Sequence, residues 1–346
     1  AAEDLVELSD SVREGDSHSG EYFLMTKDID LSTVCGASGF TEDGVYDGIS
    51  EYKKSWSPIG YYYYDATVKQ TVYQAFEGNF DGDGHTVSGL YINYNALSRA
   101  FFGYVADCTI ENLTVGGYVN AQNMNASGIA ASASGTVVIK NCVNRADIYG
   151  QSCSGIVNTK VNLSGLNLDL TVNGCSNYGV IGDLGKSGNK AGISCANGTV
   201  SISDCVNYGN ISSLASSSGI ANSGNVTGCA NFGAVTVSSA YANGIGGTTV
   251  SNCYNTGEIS STRNNSDYGY LAAGIAVSAN GGISNCYNIG RISSVSSGLN
   301  SSVLCGGNFP ITYNAQTDNC YYLADCTATK ASEGYPFAGT SKASDE

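Results

Sequence analysis

From residue 139 onward the apolar positions recur in a fixed phrase. An aliphatic residue (Ile139, Val172, Ile202, Val226, Val250, Ile283) is followed three positions later by a cysteine (Cys142, Cys175, Cys205, Cys229, Cys253, Cys286). Asparagine, glycine and a second aliphatic residue then follow at period two, so the unit reads C-x-N-x-G-x-[IV]. The asparagines are Asn144, Asn177, Asn207, Asn231, Asn255 and Asn288; Ala146 takes the place of the first glycine. A period of two places one set of side chains on one face of a strand. The odd spacing before each cysteine requires a corner there, where one strand ends and another begins. A Gly-Ile pair upstream (Gly155-Ile156, Gly192-Ile193, Gly219-Ile220 and their equivalents) supplies a third element.

Three short strands per repeat make one rung of a solenoid. Successive cysteines lie 33, 30, 24, 24 and 33 residues apart, so a 24-residue unit is one bare turn and longer units carry loops between fixed strand positions. The expected architecture is all-β, a right-handed parallel β-helix, with rungs about 4.8 Å apart and identical side chains stacked along the axis. The six asparagines are expected to form a ladder in which each amide satisfies its neighbour. Stacked cysteines sit too far apart, with parallel vectors, for disulfides, so buried reduced thiols are expected. Cys35, Cys153, Cys195, Cys305 and Cys326 lie off the ladder and leave one or two disulfides open.

The ends differ from the middle. Leu5, Leu8 and Val12 have helical spacing and Gly15 follows as a stop, which predicts a short amphipathic helix covering the first rung. We divide the chain into a capping helix and entry (1–19), irregular leading rungs with a loop insertion (20–120), regular repeats and a terminal rung (121–328), and a tail or linker (329–346). Cys108, with Val105 three before it, reads as an early member of the cysteine series. Cys320 opens a terminal rung with Tyr322 in the asparagine slot. The chain opens on Ala1 without a basic, apolar leader, the expectation being a removed leader or an excised piece.

Composition narrows function more than fold. Forty-five glycines, three prolines and 13 % charged residues fit turns and strands. The net charge of −15, with 17 acids against 6 bases in residues 1–100, argues against nucleic acid. No apolar run is long enough to insert in a membrane. Two histidines and no CxxC pair give cysteine-held metal no ligand set, and no cofactor is expected.

The segment Val250-Ser251-Asn252-Cys253-Tyr254-Asn255-Thr256-Gly257-Glu258-Ile259-Ser260 resembles the GLUG-type repeats of bacterial surface proteins, as do Tyr22–Ser32, Trp56–Gly60 and Phe76–Val87 as their opening. Most Gly-Ile pairs here lack the second glycine of that pattern. The resemblance implies a large secreted or cell-wall protein of Gram-positive gut or oral bacteria, adhesin-like; similar repeats occur in non-catalytic parts of immunoglobulin A metalloproteases. It implies an extracellular location and a glycan or host surface or matrix protein as partner; the domain itself is expected to be a monomer. No His-Glu-x-x-His occurs, so protease chemistry is absent from this chain.

Candidate chemistry is sparse. Asp81-Gly82-Asp83-Gly84-His85 lacks the later acidic ligands of a calcium loop and reads as a turn. Tyr61, Tyr62, Tyr63 and Tyr64 lie in an apparent insertion, and on a strand they must face both ways, so some could stack on sugars or form an interface. Tyr178, Tyr208 and Phe232 share an outward slot, either as a stack covered by a loop or as a glycan-binding stripe. Polysaccharide lyases and hydrolases also use β-helices, but Asp147, Asp169, Asp183, Asp204, Glu258 and Asp267 form no catalytic doublet in sequence. The expected function is non-catalytic adhesion or ligand binding. The alternatives are a structural spacer and a polysaccharide-active enzyme.

Overall fold

A computed structural model describes residues 1–36, 55–65, 67, 69–94, 99–121, 124–159, 167–183, 185, 187–238, 240–261, 272–294, 301–302, 316–323 and 340–342. The chain is a parallel β-helix with one N-terminal helix, Ala2–Glu14. Every strand pairing between rungs is parallel and joins each rung to the next. The first face stacks the strands that carry the aliphatic residue before each cysteine, in the register Phe23, Phe80, Ile110, Ile139, Val172, Ile202, Val226, Val250, Ile283 and Thr317. A second face stacks the strands just ahead of the Gly-Ile pairs, from Asn125–Ser127 to Ser301–Ser302.

The corner before each cysteine is made by one residue in the left-handed region. Asn141, Asp204, Asn252, Asn285 and Asn319 have φ between 49° and 55°, and Gly174 and Gly228 take the same place at 63° and 65°. Asn, Asp and Gly are the residues that enter this region at least cost, which explains the composition of that slot.

The phrase C-x-N-x-G-x-[IV] does not run as one strand. It breaks into a two-residue strand ending on the asparagine, such as Val206–Asn207, and a second beginning on the aliphatic residue, such as Ile211–Ser213. The asparagine causes the break, because its amide reaches back to its own backbone: Asn207 Nδ2 donates to the carbonyl of Gly209 at 2.9 Å. Its second N–H donates to Asn231 Oδ1 of the next rung at 2.7 Å. The same 2.7 Å bond runs through the series Asn144, Asn177, Asn207, Asn231, Asn255 and Asn288, all fully buried. The asparagine ladder is therefore present. Below Asn144 its slot holds Val115, Val87 and Ile29, so the polar ladder gives way to an apolar one.

Leu113, not Cys108, precedes Cys142 in the cysteine slot, because Ile110 pairs with Ile139 and Thr114 with Val143. Cys108 misleads because it too follows an aliphatic residue, Val105, by three positions. The eleven described cysteines are free and buried; Cys305 and Cys326 lie outside the described residues. From Cys175 to Cys286 each ladder sulfur accepts from the backbone N–H of the cysteine one rung earlier, as Cys205 Sγ does from Cys175 N at 3.4 Å. Off the ladder, burial pushes the Cys153 and Cys195 thiols up to about 12. A raised folded-state pKa contributes stability that is present below the ordinary thiol value and lost as pH rises toward the folded one. The denaturant midpoint should therefore hold to about pH 8.5 and fall above it, each such thiol withdrawing about 1–2 kcal/mol at pH 10. A midpoint unchanged between pH 8 and 10.5, with all these thiols protected from alkylation, would contradict this.

The helix ends on Gly15 at φ 109°, and it buries Ala2, Leu5, Leu8 and Val12. It is tied to the chain beyond by Ser9 Oγ to the Ser57 carbonyl at 2.9 Å and Arg13 Nη2 to Ser57 Oγ at 2.6 Å. Aromatic residues fill the wide leading rungs, where Trp56, Phe76, Phe80, Phe101 and Phe102 are buried. Within the segment read as a tail, Thr340–Lys342 forms a strand parallel to Tyr321–Leu323.

Candidate functional site

The insertion after Gly60 is an antiparallel hairpin, Tyr61–Asp65 with Gln70–Gln74. Alternation divides its tyrosines. Tyr62 points inward and is buried, with ring contacts to Tyr73 and Tyr104 at centroid distances of 6.0 Å. Tyr61 and Tyr63 stack on the other face at 5.5 Å, with the Arg13 guanidinium 5.0 Å from the Tyr61 ring. Tyr63 and Tyr73 are 39 % and 40 % exposed. The side chain of Tyr64 lies outside the described residues. Of the four, Tyr62 is a core residue and Tyr63 is open to a ligand.

The hairpin builds one wall of a cavity of about 540 Å³. Val72, Tyr73, Gln74 and Ala75 line that wall, and the end of the helix with Ser17 lines another. The floor comes from the rungs through Glu77, Tyr104, Ala106, Asp107 and Ser134. Its polar groups are held in place. Ser17 Oγ donates to Glu77 Oε2 at 2.9 Å, Thr136 N to Asp107 Oδ1 at 2.8 Å, and the Tyr104 and Ser134 hydroxyls lie 2.6 Å apart. Gln74 Nε2 donates to the Arg13 carbonyl at 2.6 Å. Sequence reasoning found the tyrosines but missed Gln74, Glu77 and Asp107, which share no motif and meet only through the fold.

The outward row Tyr178, Tyr208, Phe232 is exposed, and it continues through Tyr254 and Tyr287. Tyr178 stacks on Tyr208 at 4.7 Å and 13°, Tyr208 on Phe232 at 5.0 Å and 5°, and Tyr254 on Tyr287 at 5.0 Å and 4°. Tyr254 meets Phe232 edge to face at 83°, and Arg145 covers the leading face of Tyr178 at 4.5 Å. In the stretch Tyr178, Tyr208 and Phe232, led by Arg145 over the first ring, the faces are thus turned to one another along the axis, whereas Tyr254 and Tyr287 are turned by 83° to that stretch. A sugar needs a free ring face, so this geometry disfavours the first three rings as a glycan platform.

Two of the repeat acids, Asp147 and Asp183, act as turn anchors. Asp147 Oδ1 accepts from Val180 N at 2.9 Å and Asp183 Oδ2 from Leu214 N at 2.6 Å, each in the next rung; Asp267 lies outside the described residues. Asp81 likewise accepts from Asp83 N at 2.8 Å and Asn112 Nδ2 at 3.0 Å, which makes Asp81–His85 a braced turn. No protein-family model, no curated protein and no solved structure matches this chain.

Proposed function

We propose that the chain is a non-catalytic, extracellular repeat domain of a bacterial surface protein, of the GLUG kind its repeats resemble, and that it binds a ligand at the hairpin cleft. The observation that carries the binding reading is the hairpin itself. It is an insertion between rungs, the place where a solenoid takes on function without disturbing its core. Its cavity falls within the size range of small-molecule and side-chain sites. Exposed Tyr73 in its lining supplies amphipathic contact area at small entropic cost.

The domain would be tested against an array of host and dietary glycans and matrix proteins. Saturable binding that Tyr73→Ser weakens by about tenfold or more, at unchanged thermal midpoint, is the expected result. Tyr62 is left intact because it is part of the core. Binding to nothing on the array would replace this reading with that of a spacer. Turnover of a bound polysaccharide that Glu77→Gln abolishes would replace it with an enzyme.

A further inference from the structure

Resting on that ligand-binding reading, we propose that the cleft takes an organic cation, the ammonium or guanidinium head of an aliphatic chain. Glu77 and Asp107 each spend one carboxylate oxygen on the scaffold, on Ser17 Oγ and Thr136 N. Among the described residues nothing donates to their other oxygens, and neither carboxylate has an ion-pair partner. Among the described residues no lysine or arginine lines the cleft. The nearest base in sequence, Arg13, is directed away to Ser57 and the Tyr61 ring.

An independent observation points the same way. Gln74 Oε1 is buried and accepts no hydrogen bond, while the other end of the same amide is fixed on the Arg13 carbonyl. A buried acceptor without a donor is costly, and it marks the lining of this cleft as short of donors. The aromatic wall fits as well. Tyr73 is 40 % exposed and is braced at 5.8 Å and 52° on the buried Tyr104 ring, a surface against which a cation and its methylene stem can pack. The C-terminal end of the helix at Gly15, the negative pole of its dipole, closes the rim. An anion would meet two carboxylates here, and a neutral alkyl group would offer them no donor.

The test uses the whole chain and calorimetric titration with three probes: the capped peptide Gly-Lys-Gly, its norleucine analogue, and spermidine. The lysine peptide should bind saturably and more weakly as salt rises, and the norleucine peptide should not bind. Glu77→Gln and Asp107→Asn should each lower affinity by about tenfold or more. Both are isosteric, and asparagine at 107 keeps the acceptor for Thr136 and tolerates the φ of 46° found there; unchanged melting would exclude a folding defect. Spermidine binding more tightly than the peptide would assign the site to free polyamines, and the reverse to a protein side chain. Equal binding of the norleucine peptide, or affinity untouched by both carboxylate variants, would overturn the proposal. An array ligand that depends on Tyr73 but not on Glu77 or Asp107 would overturn the cation while leaving the binding site. Silence of every probe and every array component would remove both.

Discussion

Asn207→Ala is expected to destabilise the domain by about 3–6 kcal/mol, the sum of three buried groups left unpaired at about 1–3 kcal/mol each, less partial relaxation. Asn207 accepts from Asn177 Nδ2 and donates to Asn231 Oδ1 and to the Gly209 carbonyl. With its side chain gone, two neighbouring amides and one carbonyl face a dry gap. Asn207→Asp should fare no better, because a carboxylate cannot donate to either of the two acceptors and would bring a buried charge. Asn288→Ala, at the last rung of the series with Tyr322 beyond it in register, is the comparison for the ladder's end. Urea denaturation at neutral pH reads all three, and a loss at Asn207 of under about 1 kcal/mol would show that the ladder is not what holds adjacent rungs.

The second large effect concerns space. A Cβ on Gly209 would stand 2.0 Å from the carbonyl oxygen of Gly179, and one on Gly219 2.0 Å from that of Gly244. Both obstacles are backbone in the adjoining rung, which cannot rotate aside. Asn177 Nδ2 lies 2.6 Å from the first position and Asn231 Cγ 2.4 Å from the second. Two rows of glycine thus flank the asparagine ladder and let the backbone close over it. Gly209→Ala and Gly219→Ala should each cost about 4 kcal/mol or more, at the far end of what single substitutions do. Gly185, whose φ is 82° but whose Cβ would meet nothing within 4 Å, is the control: alanine there should cost about 1 kcal/mol. Similar losses at all three positions would mean that backbone conformation, not rung contact, selects glycine in the repeats.

These two rows explain which parts of the molecule could be read in advance. The cysteine, asparagine and glycine positions each answer to a neighbour one rung away in the same slot, so a constraint in space becomes a recurrence in sequence. The break in the strand after each asparagine left no separate mark, because the turn is made by the asparagine already counted as a strand residue. Leu113 escaped notice for the opposite reason: an apolar slot can be filled by leucine as well as by cysteine, and Cys108 offered a false match. The cleft was hidden more deeply. Ser17, Gln74, Glu77 and Asp107 come from a loop, a hairpin and two rungs, occur once each, and are joined by no period.

The asparagine bonds all run in one direction, each amide donating to the rung that follows. A row of this kind has no built-in length. Removing residues 208–231 would join Asn207 to Phe232 and place the Asn207 amide beneath Asn255, with Cys205 beneath Cys253 and Gly209's role passed to Gly233. Every bond in the row would find the same partner type as before, and the solenoid would be shorter by one rung of about 4.8 Å. Gain or loss of whole units is therefore nearly free for this architecture, whereas gain or loss of part of a unit is tolerated only in the loops between the fixed strand positions. The reach of such a protein can be adjusted in discrete steps by duplication or deletion of coding units, while the cleft at its N-terminal end stays as it is.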